Sequence, residues 1–384
     1  MAYYFLFPEN DTTLYSHPSR INMNTGGDEI LELVKERGDT DQNHYPSRIL
    51  LKFKTEEIGS TIDNVIGSTF SSSAKINLEL TSLEAKNILE SHILEVYAVS
   101  QSWNEGTNKY NNLPSSSNGA TWKHRDGSVL ASSWATSSFS AGTTGSLSNH
   151  STIPSGGGSW YTGSNFEAEQ QFLPGESLDT NFDVTEIIHK ISASYFHNQS
   201  YPTGIENNGF LIKTPDGIET NTLYSFGELQ YFSVDTHTIY PPKLVFKWDD
   251  SDYVNQSTLI KEEGSLFVSL YNNKKTYNQN DVVKFRFNVR DKYPTRTFTT
   301  SSNYLNNGRF KSTCYYSIRD AHTEQEIIPF DTTYTKMSAD TESSYFNLHM
   351  NGLQPERYYR ILIKHINSDG TTIYDDNYHF KVVR

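Results

Sequence analysis

Gly352-Leu353-Gln354-Pro355-Glu356-Arg357-Tyr358-Tyr359-Arg360-Ile361-Leu362-Ile363-Lys364 sets a Leu-x-Pro turn directly before a Tyr-initiated, alternating strand. That is the arrangement of a tyrosine corner, where a ring packs inside a β-sandwich and its hydroxyl reaches a backbone group across the turn. Leu353, Pro355 and either Tyr358 or Tyr359 are the residues expected to build it. Just downstream, Asn367-Ser368-Asp369-Gly370-Thr371-Thr372 predicts a hairpin turn through its Asp-Gly. Tyr378-His379-Phe380-Lys381-Val382-Val383 then predicts the strand that pairs back. Together they read as the closing strands of an antiparallel sandwich.

Working outward, the same strand texture fills the rest of the chain. Asp11 to Ser16, Glu29 to Leu33, Ser47 to Phe53, Ile76 to Leu80, Ile93 to Val99, Asn208 to Lys213 and Pro241 to Trp248 all read as short strands. Ile76-Asn77-Leu78-Glu79-Leu80 alternates cleanly, so one of its faces is buried and the other wet. Ser47-Arg48-Ile49-Leu50-Leu51-Lys52-Phe53 is nearly continuous in apolar residues and suits a central strand. Phe182 to Ile191 predicts a short helix, with Asp183 as N-cap and Ile187, Ile188 and Ile191 on one face. The predicted division is a first domain over 1–248 with a Ser/Gly-rich insertion at about 128–164, an acidic linker over 249–265, and a second domain over 266–384.

Composition agrees with an all-β reading. With 384 residues the chain can build at least two cores. It carries 25 Tyr and 21 Phe among abundant Ser, Thr, Asn and Gly, the palette of twisted strands and polar turns. A formal charge of −13, spread along the chain rather than gathered into runs, keeps the surface hydrated and repels phosphate backbones. Nucleic acid is therefore not an expected partner. The single cysteine, Cys314, cannot close an intrachain disulfide, which points to folding in a reducing cytoplasm. No basic, apolar leader opens the sequence and no stretch approaches the ~20 apolar residues of a membrane span, so neither export nor a membrane is expected.

The order of segments carries a resemblance. "DTTLYS", "SRILLKF", "LEVYAVSQSWNEGT" followed by "ATWK", "FDVTEII", "NNGFLIK" and "PPKLVFKW" occur in sequence over residues 1–248. This resembles the DNRLRE-type domain, a jelly-roll relative of carbohydrate-binding modules. The chain departs from that pattern after "SRILLKF", where the expected Asp-Leu is missing, and in the Ser/Gly-rich insertion. The closing strands resemble a fibronectin type III or immunoglobulin-like domain. The stretch from Asn280 to Lys364, beginning "NDVVKFRFNVRDKYPTRTFTT", looks like a region of virion structural proteins of large tailed phages, especially marine ones. The resemblance implies an N-terminal jelly-roll β-sandwich followed by an immunoglobulin/fibronectin III-like β-sandwich. Its implied setting is a virion, assembled in the host cytoplasm.

Motifs of catalysis are not found in the sequence. The twelve His include no His-x-x-x-His or His-Glu-x-x-His pair, and there is no nucleophile elbow and no phosphate-binding Gly-Lys-Ser/Thr loop. Gly156-Gly157-Gly158 sits in a Ser/Gly-rich loop rather than a phosphate cradle. The pairs Asp249-Asp250, Glu262-Glu263 and Asp375-Asp376 read as solvated carboxylates. Asp11 and Asp28 could offer oxygens to a structural calcium ion, but no repeated Asp-x-Asp spacing supports it. No enzyme, no metal and no cofactor is expected.

Trp103, Trp122, Trp134 and Trp160 are the candidates for contact with glycan or with a neighbouring subunit, since indole faces stack on sugar rings and anchor interfaces. Trp103 and Trp122 fall where the resembled family has core and rim tryptophans. Trp134 and Trp160 lie inside the polar insertion, where they either anchor the loop to its own domain or plug a neighbour; the second is preferred. The expected function is that of a virion structural protein of a tailed phage, in the neck or tail, whose partners are other virion proteins and copies of itself. The alternative is a carbohydrate- or receptor-binding protein of a fibre or baseplate that holds host-surface glycan on the jelly roll.

Overall fold

A computed structural model of the chain describes residues 2–39, 43–67, 70–112, 118–128, 132–135, 144–145, 153–195, 204–221, 225–254, 260–261, 266–271, 273–293, 308–368 and 370–384. Strands make up most of their regular secondary structure, and the helices are few and short. They divide into two compact units. The larger comprises Leu6–Val65 and Ile76–Val245, the smaller Met1–Phe5, Ile66–Lys75 and Phe246–Arg384.

In the larger unit an antiparallel sheet runs in the order Glu167–Phe172, His92–Ala98, Phe210–Lys213, His44–Lys52, Ile30–Arg37, Glu228–Phe232, Ser82–Lys86, and Asn10–Tyr15 also pairs with His44–Lys52. A second sheet pairs Lys75–Leu80 with Thr180–Asp183. Period-2 patterning makes the first sheet two-faced. Register puts Tyr97, Leu211 and Leu50 in one row and Val96, Ile212 and Ile49 in the next, pointing the other way. The helix Thr185–Tyr195 buries Ile187, Ile188 and Ile191, and the Asp183 carboxylate accepts the Thr185 N–H at its start.

The smaller unit is a sandwich of immunoglobulin type. One sheet runs Leu266–Tyr271, Val282–Asp291, Ser344–His349, Ser338–Ala339; the other runs Thr276–Asn278, Gly370–Val383, Tyr358–Asn367, Cys314–Asp320, Glu326–Ile328. With the two three-residue strands Thr276–Asn278 and Glu326–Ile328 set aside, the seven others lettered in chain order fall into the ABED and GFC groupings of that fold. Its core is aromatic: Tyr316 stacks on Phe346 at 4.0 Å, and Phe285 touches both Phe346 and Phe380. The predicted hairpin forms, with Asn367 opposite Gly370 and the strand returning through Val383; Asp369 lies outside the described residues.

Two boundaries differ from the reading of the sequence. Met1–Phe5, Ile66–Lys75 and residues 246–248 belong to the smaller unit, not to a first domain spanning 1–248. The reason at the N-terminus is local chemistry: the Tyr4 ring meets His349 edge-on, its hydroxyl accepts a bond from the Asn351 amide, and Phe5 packs against Gly352. A Cβ at Gly352 would stand 2.9 Å from the Phe5 nitrogen. The beginning of the expected linker is also committed. Val254 N–H donates to the Ala339 carbonyl, Ala339 N–H to the Asp252 carbonyl, and the Tyr253 hydroxyl to the Phe310 carbonyl.

Candidate functional site

The face of the large sheet that carries Leu50, Leu211 and Tyr97 is covered by the chain's own loops. Leu14, Leu50, Val99, Trp122, Trp134, Ile153, Trp160 and Leu211 form one apolar cluster there, with Tyr97 and Trp103 packed at its margin. Three of the four candidate tryptophans are thus inside it: Trp122, Trp134 and Trp160 are 0%, 2% and 5% exposed. The expectation that Trp134 and Trp160 reach a neighbour is corrected accordingly. Each ring is sealed within its own unit, and the Trp134 indole N–H is spent on the Thr121 carbonyl at 2.9 Å. Trp103 is half-buried and donates to the Asn208 carbonyl. No flat tryptophan platform stands ready for a sugar among the described residues.

Under this cluster lies a fully buried ion pair that periodicity alone did not reveal. Arg48, on the central strand, donates through Nε and Nη2 to the two Glu219 oxygens at 3.0 and 2.7 Å, and both side chains are wholly inaccessible. Its guanidinium stands 4.6 Å from the Trp122 ring and 5.0 Å from the Trp160 ring, and Nη1 donates to the Gly157 carbonyl at 2.7 Å. Gly157 (φ +76°) admits this approach, since a Cβ there would lie 2.6 Å from both Arg48 and Trp122. The glycine triplet is the loop's anchor to the sheet. The nearby "NEGT" segment is structural as well: Glu105 accepts from Asn10 Nδ2 and Asp11 N, and Asn24 Nδ2 donates to the Glu105 and Ala120 carbonyls.

At the edge of the same sheet face the cover stops. A cavity of about 290 Å³ opens there, lined by Glu95, Tyr97, Ser164, Glu167, Ala168 and Glu169. Register sets Glu169 directly opposite Glu95 and Glu167 opposite Tyr97. Lys213, only 1% exposed at its side chain, spans Glu95 at 3.2 Å and Asp216 at 2.8 Å. Burial, together with the neighbouring carboxylates of Glu95 and Glu167, pushes the Tyr97 hydroxyl well above its usual range. The site can accept hydrogen bonds from hydroxyl groups or attract a cation against an aromatic ring.

The smaller unit presents a face of opposite character. Outward on Leu266–Tyr271 stand Phe267 and Tyr271; outward on Val282–Asp291 stand Lys284, Arg286 and Arg290; Tyr345 lies on the next strand. Arg290 sits 4.4 Å over the Phe267 ring and Lys284 4.2 Å over Tyr345. Asp340 holds Arg286 by two bonds of 3.0 and 2.7 Å; burial pushes the Asp340 carboxyl up, but the Arg286 bonds and charge and the Glu342 and Ser343 N–H groups outweigh it and bring the carboxyl down to about 2.

The remaining sequence candidates are accounted for locally. Tyr359 makes the corner, donating its hydroxyl to the Gln354 carbonyl at 2.9 Å and stacking on Phe380, with Leu353 buried beside it; Tyr358 is 46% exposed. Pro355 occupies the turn between them. Asp11 is buried, its oxygens bonded by Ser233 Oγ and Val234 N, and Asp28 accepts from Tyr110 N. Asp249 accepts from Ser251 N, Asp375 pairs with Arg360, and Glu262-Glu263 lie outside the described residues. Cys314 is buried, with Sγ 3.4 Å from Met337 Sδ. Among the described residues no three His, Cys, Asp or Glu converge as metal ligands, and no helix is long and apolar enough to cross a membrane.

No family model matches the chain, and no curated protein matches it. Among solved structures, the adhesin domain of Epf from Streptococcus pyogenes aligns over 98% of both chains at 7% identity and a TM-score of 0.16, a superposition too loose to carry an argument.

Proposed function

We propose that this chain is a structural protein of a tailed-phage particle, of the neck or tail, that works through subunit–subunit contacts and catalyses no reaction. The observation that carries the reading is the face of the smaller unit. Among the described residues Leu266–Tyr271 is the edge strand of its sheet, with two aromatic rings outward beside a row of Lys and Arg. Unpaired sheet edges template association unless they are covered, and aromatic and Arg side chains are the ones that interfaces favour. The tryptophans, by contrast, are spent on the interior, which removes the platform a glycan binder would need. The phage setting is supported by the likeness of Asn280 to Lys364 to virion proteins. Mass spectrometry and cryo-EM of purified particles test it: the expected result is symmetric density for many copies, and absence of the chain from particles refutes it.

A second reading has one observation in its favour. The 290 Å³ cavity beside Tyr97 combines an aromatic ring with carboxylates that accept from sugar hydroxyls, so the jelly-roll unit could hold host-surface glycan. Glycan-array binding lost on Tyr97→Ala would favour it over the structural role.

A further inference from the structure

The two units carry opposite charge balances. The smaller holds 19 Lys and Arg against 17 Asp and Glu, a formal +2; the larger holds 13 against 28, a formal −15, and the two give the chain's −13. Within that pattern two surfaces are left electrostatically incomplete. On the smaller unit, Lys284 and Arg290 make no ion pair among the described residues, and they flank exposed Phe267 and Tyr271. On the larger unit, exposed Glu167 and Glu169 likewise have no cationic partner among the described residues, and Glu169 is set against Glu95 across the strand pair. Like charges directly opposite each other in a sheet cost stability unless a cation is brought in. The cation that Glu95 does meet, Lys213, is already shared with Asp216.

We infer that copies of this chain associate head to tail, the basic, aromatic sheet face of the smaller unit seating on the acidic sheet edge of the larger unit of the next copy. This rests on the assembly reading and names its partner. The occupant is a second copy because charge complementarity is present in the chain itself, whereas a net −13 disfavours approach to nucleic acid phosphates. The surfaces differ, so the contact is heterologous. Repetition of such a contact closes a ring when the rotation permits and grows a filament when it does not.

The test uses the full chain in sedimentation velocity across a concentration series, at about 50 mM and about 500 mM salt, where screening lengths differ severalfold. Wild type is expected to associate at low salt and weaken at high salt. Lys284→Glu with Arg290→Glu, and separately Glu167→Lys with Glu169→Lys, should each weaken association by about thirtyfold, each reversed pair contributing roughly fivefold to sixfold. A one-to-one mixture of the two variants should recover it, because each then offers the other a complementary face. Circular dichroism checks that each variant is folded, and Lys284→Gln with Arg290→Gln gives an intermediate loss if the charges act as stated. Association that survives both reversals overturns the inference and leaves the assembly reading standing. A wild-type chain that stays monomeric throughout overturns both. Binding of a single-stranded oligonucleotide that the Lys284→Glu, Arg290→Glu variant abolishes would reassign the basic face and overturn the inference.

Discussion

Glu219→Gln keeps the volume of a fully buried side chain and removes its charge, so the Arg48 guanidinium retains one neutral amide oxygen, the Gly157 carbonyl and two indole faces but loses its counter-charge. Breaking one member of a buried ion pair typically costs ~3–5 kcal/mol, because the surviving charge is left uncompensated in a poorly polarisable interior. Ring faces return part of that, about 2 kcal/mol at most when desolvated. We therefore expect a net loss of about 3 kcal/mol in the larger unit. At an m-value of roughly 2–3 kcal/mol per molar urea, the midpoint falls by about 1 M or more. Arg48→Met combined with Glu219→Met removes both charges and should cost much less than the sum of the single changes. Tryptophan emission is the natural probe, since four of the five tryptophans lie in the larger unit; a Trp248→Phe background silences the fifth. A loss below about 1 kcal/mol for Glu219→Gln, or additivity in the double variant, would refute the account.

Gly157→Ala should cost more than about 2 kcal/mol, because the new Cβ would collide with Arg48 and Trp122 in a left-handed backbone, while Gly175→Ala, also left-handed but in open space, should cost about 1 kcal/mol; urea titration separates them. Tyr359→Phe loses the corner bond to Gln354 and about 1 kcal/mol, whereas Tyr358→Phe at an exposed position should be nearly neutral, read as melting temperatures of the smaller unit. Burial, reinforced by the Glu105 and Asp235 charges, lifts the Asp11 carboxyl from 3.8 to about 7 against the pull of its Val234 and Ser233 bonds. A raised acid contributes its full stability below about pH 4 and loses it as pH climbs to 7, so wild type should weaken over that window by a few kcal/mol at most. Asp11→Asn should flatten this slope in urea midpoints taken at pH 5 and 8; parallel profiles for the two proteins would contradict it. Acrylamide should quench wild-type tryptophan emission weakly, since Trp122, Trp134 and Trp160 are sealed; quenching as strong as that of free tryptophan would contradict their burial.

What could be read in advance was whatever has a short period. The hairpin from Tyr358 to Val383, the helix with Ile187, Ile188 and Ile191, and the alternating strands all announce themselves within a few residues. Features made by distant segments did not. Trp134 in a run of Ser and Gly has no local pattern that distinguishes a core ring from an exposed one, because its partners arrive from Leu14, Leu50 and Leu211. Arg48 in "SRILLKF" looks like the wet position of a strand, and only the acid 171 positions later makes it an interior one. A usable signal was present in Gly156-Gly157-Gly158: three successive glycines fit a backbone pressed against something, and all three hold positive φ. The charge split was hidden for a similar reason. Counted along the chain, acidic residues look evenly spread, and the contrast emerges once residues are grouped by the unit they fold into.

The joining of Met1–Phe5 to the smaller unit sets a timing problem for synthesis. Tyr4 and its partner Asn351 are 347 positions apart, so at ~5–20 residues per second the strand is made about twenty seconds to a minute before that partner exists. For most of that interval Ala2-Tyr3-Tyr4-Phe5-Leu6, a strand whose five side chains all end up buried, also lacks its neighbour in the sheet, Lys243–Trp248. Five uncharged residues, three of them β-favouring aromatics, are in that state prone to chaperone binding and to pairing with the same stretch on a neighbouring nascent chain. The yield of folded chain should therefore depend on how long Ala2–Leu6 stays uncovered, and translation speed should change it.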